Sequence, residues 1–83
     1  MSQRIAVIGA GTIGASWAAN FLARGHEVAV SDPAPEGEAF ARRFIANAWP
    51  TLETLGSVVK GASPDRFTFH KDPAAAEIGR AHV

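Results

Sequence analysis

Apolar side chains along this chain recur with two different periods, and their alternation predicts its elements. Residues 4–8, Arg4-Ile5-Ala6-Val7-Ile8, form a short continuous apolar run that stops at Gly9. Such a run suits a strand buried on both faces of a parallel sheet. From about residue 12 to residue 24, Ile13, Trp17, Phe21 and Leu22 return at helical spacing and predict a helix with one large apolar face. Gly25 stands where a helix C-terminal glycine belongs. A second strand is expected over 27–31, ending at Asp32, which completes a strand–helix–strand unit of about thirty residues.

Beyond Asp32 the pattern changes. Pro33 and Pro35 break the chain, and a longer helix is expected from about residue 36 to residue 55, with Phe40, Phe44, Ala48, Leu52 and Leu55 along one face. Pro50 removes a backbone donor inside that helix and is expected to kink or split it near Trp49. Residues 57–65 read as a loop containing Gly61, Ser63 and Pro64. Residues 66–71 alternate, with Phe67 and Phe69 to one side and Thr68 and His70 to the other, and predict a third, half-buried strand. Asp72-Pro73 then has the form of an N-cap followed by proline at the first helical position, so a third helix should start at Ala74. The elements alternate β, α, β, α, β.

Composition narrows the functional classes. Eighty-three residues allow one domain with a modest core. Eight basic and eight acidic side chains cancel, so no basic field is present to hold a nucleic acid by counterion release. The absence of cysteine excludes disulfides and thiolate metal sites. The first apolar run is too short for a signal peptide or a membrane span, and a cytoplasmic protein is expected.

The chemistry concentrates between the first strand and its helix. The loop Gly9-Ala10-Gly11-Thr12-Ile13-Gly14 places glycines at GxGxxG spacing between a strand and a helix, and Asp32 ends the next strand eighteen residues after Gly14. Gly9 permits the tight turn out of the strand, Gly11 lets a pyrophosphate approach the backbone, and Gly14 lets the helix pack close to the sheet. The N–H groups of the first helical turn and the positive end of the helix dipole face the phosphates. The Asp32 carboxylate can accept hydrogen bonds from the adenosine ribose hydroxyls and would repel a 2′-phosphate; no arginine follows to relieve that, so NAD is expected over NADP. The constellation predicts an incomplete α/β, Rossmann-type βαβαβ parallel sheet of three strands in the order 3-2-1. Gly9, Ala10, Gly11, Thr12, Ile13, Gly14 and Asp32 are the cofactor-binding candidates.

Other residues suggest no reaction. Trp17 and Trp49 lie on helical faces and are expected in the core. His26 and His70 are lone histidines with structural roles, and no metal-ligand spacing occurs. Ser16 and Ser31 have no base nearby in sequence, and no acid–base pair is present. A flavoprotein would use the same loop and a similarly placed acid, and a nucleotide-binding module without catalysis would need no more than this site.

The chain resembles the N-terminal domain of the 3-hydroxyacyl-CoA dehydrogenase superfamily, and within it the L-carnitine dehydrogenase group. The residues that carry the resemblance are 8–17, Ser31-Asp32-Pro33-Ala34-Pro35, Ala46-Asn47-Ala48-Trp49 with Leu52 and Leu55-Gly56, and Gly61-Ala62-Ser63-Pro64-Asp65-Arg66-Phe67. It covers about residues 3–76. It implies oxidation of a 3-hydroxyl to a ketone, as in a 3-hydroxyacyl-CoA or an L-carnitine-like substrate, with hydride passing to NAD. It also implies that the catalytic histidine–glutamate pair and a helical, dimer-forming domain lie further along, with homodimers the expected assembly. Residues 1–76 are thus read as a partial dinucleotide-binding domain without catalytic residues. Residues 77–83, Glu77-Ile78-Gly79-Arg80-Ala81-His82-Val83, resemble the translation of a sequencing-library adaptor and are read as a non-native tail. On that reading the fourth strand is missing, and one flank of the first strand lies open.

Overall fold

The structure, a computed structural model, describes residues 3–9, 11–71 and 81–82. Strand β1 (Arg4–Ile8) leads into helix α1 (Thr12–Ala23), strand β2 (Glu27–Ser31) and helix α2 (Gly37–Thr54). A single 3-10 turn (Pro64–Arg66) precedes strand β3 (Phe67–His70), and a two-residue strand β4 (Ala81–His82) follows. All pairings are parallel, in the order β3-β2-β1-β4. The predicted order of three strands holds. β4 adds a pairing of Ile5 with Ala81 and Ala6 with His82, so the outer flank of β1 is not bare along its whole length. Strand addition is made by main-chain groups and asks little of side chains, so the residue types at 81–82 gave no sign of it. The predicted helix from Ala74 lies outside the described residues.

One face of the sheet carries the larger core. Ile5 and Val7 of β1, Val28 and Val30 of β2 and Phe67 of β3 pack with Leu22 of α1 and with Ala41, Ile45 and Trp49 of α2. Ala6 and Ala29 point the other way and form a second, smaller buried pair. Inward residues on both faces of β1 and β2 explain why these strands are continuous apolar runs rather than alternations. Arg66 anchors the lower edge: its Nη1 donates to the Gly25 carbonyl at 2.6 Å, tying the start of β3 to the turn after α1.

The helices turn different faces inward from those the large side chains suggested. In α1 the buried residues are Ala15, Ala18, Ala19, Leu22 and Ala23, while Ile13 is 77% and Trp17 49% exposed. Where the N-terminal part of the helix comes close to the sheet, small side chains fit beneath it, so the alanines face the strands with Leu22 further along, and Ile13 and Trp17 are turned outward. In α2, Gly37, Ala41, Ile45 and Trp49 are buried at four-residue steps. Phe40, Phe44, Ala48 and Leu52 are half-buried beside them, and Leu55 is 71% exposed. Trp49 is a core residue, as expected; Trp17 is not. Pro50 does not split α2, which continues to Thr54, where Thr54 Oγ1 donates to the Pro50 carbonyl at 2.9 Å. The proline lies on the exposed side. It forfeits one rung of the ladder, and the packing of Ile45 and Trp49 holds the helix through it.

Candidate functional site

The glycine loop is built by three different constraints. Gly9 has φ +96°, a conformation that side chains rarely adopt, and its N–H donates to the Ser31 carbonyl at 2.7 Å, closing the top of β1 onto β2. Gly14 lies against the turn it follows. A Cβ there would overlap the Gly9 carbonyl oxygen and stand 3.0 Å from its carbon and 3.6 Å from Val7 Cγ1. Gly11 has neither constraint: as N-cap of α1 it has φ −69°, and a Cβ built on it would meet nothing within 4 Å. What the missing side chain leaves at Gly11 is open space above the helix tip, a cradle that a Cβ would fill. Ala10 lies outside the described residues.

The helical ladder opens with Ala15 N–H donating to the Gly11 carbonyl at 2.8 Å. The amides of Thr12, Ile13 and Gly14 are in the first turn, ahead of that ladder, where helical N–H groups have no partner within the helix. No acidic residue stands in this turn to neutralise the dipole. Thr12 and Ile13 are exposed. A cavity of about 530 Å³ opens over the loop, lined by Gly9, Gly11, Thr12, Gly14 and the ring of Trp17 among others. Trp17 stacks on Phe21 with ring centroids 5.6 Å apart. That the tryptophan borders this cavity is visible only in three dimensions, because its helical spacing points equally to the core.

A second cavity, of about 280 Å³, shares Gly11 and Thr12 with the first and extends to Asp32, Glu36, Gly37 and Phe40. The loop and the strand-end acid, twenty-one positions apart from Gly11 to Asp32, thus border one space. Asp32 is half-buried; its N–H donates to the His70 carbonyl at 3.1 Å and its Oδ1 accepts from Ala34 N–H at 2.8 Å. Among the described residues, the charged ones lining this second cavity are two acids, Asp32 and Glu36. Glu36 and Gly37 escaped the sequence reading. Their one signal was a glycine opening a helix, a place where no turn required it.

The remaining candidates have structural surroundings. His26 Nδ1 accepts from Gln3 N–H at 3.0 Å, and His70 Nε2 lies 3.3 Å from Thr68 Oγ1. Ser31 is fully buried, and its Oγ has no hydrogen-bond partner among the described residues. Among the described residues no group of three or more acids and histidines is placed to hold a metal, and no helix is long and apolar enough to cross a membrane.

Comparison with known proteins gives the family. The family model described as the NAD binding domain of 3-hydroxyacyl-CoA dehydrogenase matches residues 4–81. L-carnitine dehydrogenase of Streptomyces coelicolor is 54% identical over 66 residues, covering 80% of this chain and 20% of the relative. L-carnitine dehydrogenase of Bacillus cereus is 45% identical over 74 residues, covering 89% and 22%. The chain thus spans about a fifth of the length of these curated relatives. Among solved structures, FHMPC 5-dehydrogenase, an NAD+ dependent dismutase, superposes with a TM-score of 0.77 at 36% identity, over 96% of this chain and 26% of that one. The 3-hydroxybutyryl-CoA dehydrogenase of Escherichia coli gives 0.73 at 28% identity, over 93% and 17%.

Proposed function

Because this chain belongs to the NAD-binding domain family of 3-hydroxyacyl-CoA dehydrogenases, we propose that its glycine loop and Asp32 together hold NAD for the oxidation of a 3-hydroxyl group. The family match names NAD, which sets the flavin alternative aside. The observation that carries the reading is the shared space: Gly11, with nothing where its side chain would be, and Asp32 border one cavity at the tip of α1. In this arrangement the first-turn amides of Thr12, Ile13 and Gly14 and the dipole of α1 bind the pyrophosphate, Gly9 makes the turn, and Gly11 lets the pyrophosphate approach. The Asp32 carboxylate accepts hydrogen bonds from the ribose hydroxyls, and two acids with no lining lysine or arginine among the described residues disfavour a 2′-phosphate. Bound NAD supplies the hydride acceptor.

The substrate is a 3-hydroxyacyl-CoA or an L-carnitine-like 3-hydroxy acid, a choice supported by the curated relatives of similar sequence. We infer, from the family resemblance, that the base that takes the hydroxyl proton, the substrate contacts and the surfaces of a homodimer lie outside the matched fifth of the relatives' length. The test is titration of the protein with NAD and NADP by calorimetry, alongside Asp32→Ala. Hydrogen bonds to a charged group contribute about 1.5–3 kcal/mol, so Asp32→Ala should weaken NAD by roughly 10- to 100-fold and narrow the preference over NADP. Tighter binding of NADP than of NAD by the unaltered protein would defeat the assignment.

A further inference from the structure

Gly37 is a glycine whose backbone does not need one. It is not among the glycines with positive φ, and it opens α2, where alanine would favour the helix by up to about 1 kcal/mol. It is nevertheless buried, and what surrounds it is specific. A Cβ at this position would stand 3.1 Å from Phe69 Cζ, 3.2 Å from Asp32 Cβ and 3.5 Å from Asp32 Cγ. The tip of α2 therefore rests directly on the side chain of the ribose-binding acid.

Asp32 is confined from several sides. Its N–H is bonded to His70 of β3, its Oδ1 takes the Ala34 amide, and Gly37 N–H in turn donates to the Ala34 carbonyl at 3.1 Å. The short Pro33–Glu36 link thus wraps around the carboxylate and delivers Gly37 onto its Cβ and Cγ. Gly37 and Asp32 line the same cavity as Gly11 and Thr12.

We propose that Gly37 is a positioning residue for the cofactor site: its lack of a side chain lets α2 close onto Asp32 and fixes the carboxylate toward the cavity shared with Gly11. This rests on the reading that Asp32 holds the ribose of NAD. A methyl group at residue 37 would make both the Phe69 ring tip and Asp32 Cβ give way by a few tenths of an ångström. A shift at Asp32 Cβ carries the carboxylate that meets the ribose with it, so the effect is read in binding.

A double-mutant cycle on the full chain tests this, with NAD and NADP affinities measured by calorimetry and stability by thermal denaturation. Gly37→Ala should weaken NAD about tenfold while its unfolding midpoint stays level or rises. In an Asp32→Ala background the same substitution should change NAD affinity by less than about twofold, because the group it acts through is gone. Gly37→Ala with Phe69→Leu removes the ring tip and leaves only the contact with the Asp32 side chain; it should keep the tenfold loss, and it serves if the single variant does not fold. An equal loss in both backgrounds, or undiminished affinity in Gly37→Ala when Asp32→Ala alone is impaired, overturns the positioning role and leaves the NAD reading standing. An Asp32→Ala variant that binds NAD as well as the unaltered protein overturns both.

Discussion

Gly11 and Gly14 are three positions apart in one loop, yet the structure assigns them opposite consequences when each is replaced by alanine. At Gly14 the added methyl group overlaps a backbone carbonyl, that of Gly9, which is itself held by the 2.7 Å bond from Gly9 N–H to Ser31. No flexible side chain can swing aside, so α1 must lift from the strands. Overpacking of this kind costs about 1–3 kcal/mol, and the rigid neighbour places Gly14→Ala at the upper end, partly offset by about 1 kcal/mol of helix propensity. A net loss of about 2 kcal/mol corresponds to a midpoint lower by roughly 8–16 °C for a domain of this size. At Gly11 the methyl group meets nothing, and φ −69° suits any residue. The weaker N-cap preference of alanine costs about half a kcal/mol, and the stiffer unfolded chain returns about as much. Gly11→Ala should therefore unfold within about 3 °C of the parent. It should lose NAD affinity by 10-fold or more, since the methyl group fills the space that a pyrophosphate needs and forfeits at least one charge-assisted hydrogen bond of about 1.5–3 kcal/mol. Thermal unfolding by circular dichroism and NAD titration by calorimetry read the two effects separately. A Gly11→Ala protein that binds NAD normally, or a Gly14→Ala protein as stable as the parent, would refute the division of roles.

Further outcomes follow from burial. Trp49→Ala, in the core at 9% exposure, should destabilise the protein by about 3–5 kcal/mol. Trp17→Ala should cost less than about half of that, and denaturant titration of the two variants would reverse the picture of α1 if the order came out the other way. Leu22→Ala removes a fully buried side chain between α1 and the sheet and should cost about 2–5 kcal/mol in the same assay. Ser31→Ala deletes a buried hydroxyl that has no partner among the described residues, so its unfolding midpoint should match or exceed the parent's; a drop of several degrees would show that the hydroxyl is satisfied in solution.

The order of elements and the chemistry of the loop were legible in the residues themselves. A parallel strand buried on both faces has to be apolar at successive positions, so β1 and β2 were visible as runs, with the bounds that the structure shows. Gly9 and Asp32 follow from local rules: a turn that needs positive φ, and an acid at the end of a strand. The family resemblance rested on the loop and on the segments Ser31 to Pro35, Ala46 to Gly56 and Gly61 to Phe67, and the match over residues 4–81 agrees with it.

Which side of each helix faces inward was decided only in three dimensions. Counting large apolar residues favoured Ile13, Trp17, Phe21 and Leu22 in α1; Leu22 is buried and Phe21 half-buried, but near the close contact of Gly14 with Gly9 it is Ala15, Ala18 and Ala19 that lie beneath the helix while Ile13 and Trp17 face outward. The same holds at α2, where Gly37 and Ala41 mark the close approach and Phe40 and Phe44 flank it. Helical periodicity records that a face is apolar, whereas the separation of the packed backbones selects the size of the side chains on it. That separation is a property of the assembled fold. The same physical reason kept Gly37 out of sight: its neighbours, Asp32 just after β2 and Phe69 in β3, meet it only once the sheet and α2 have closed together.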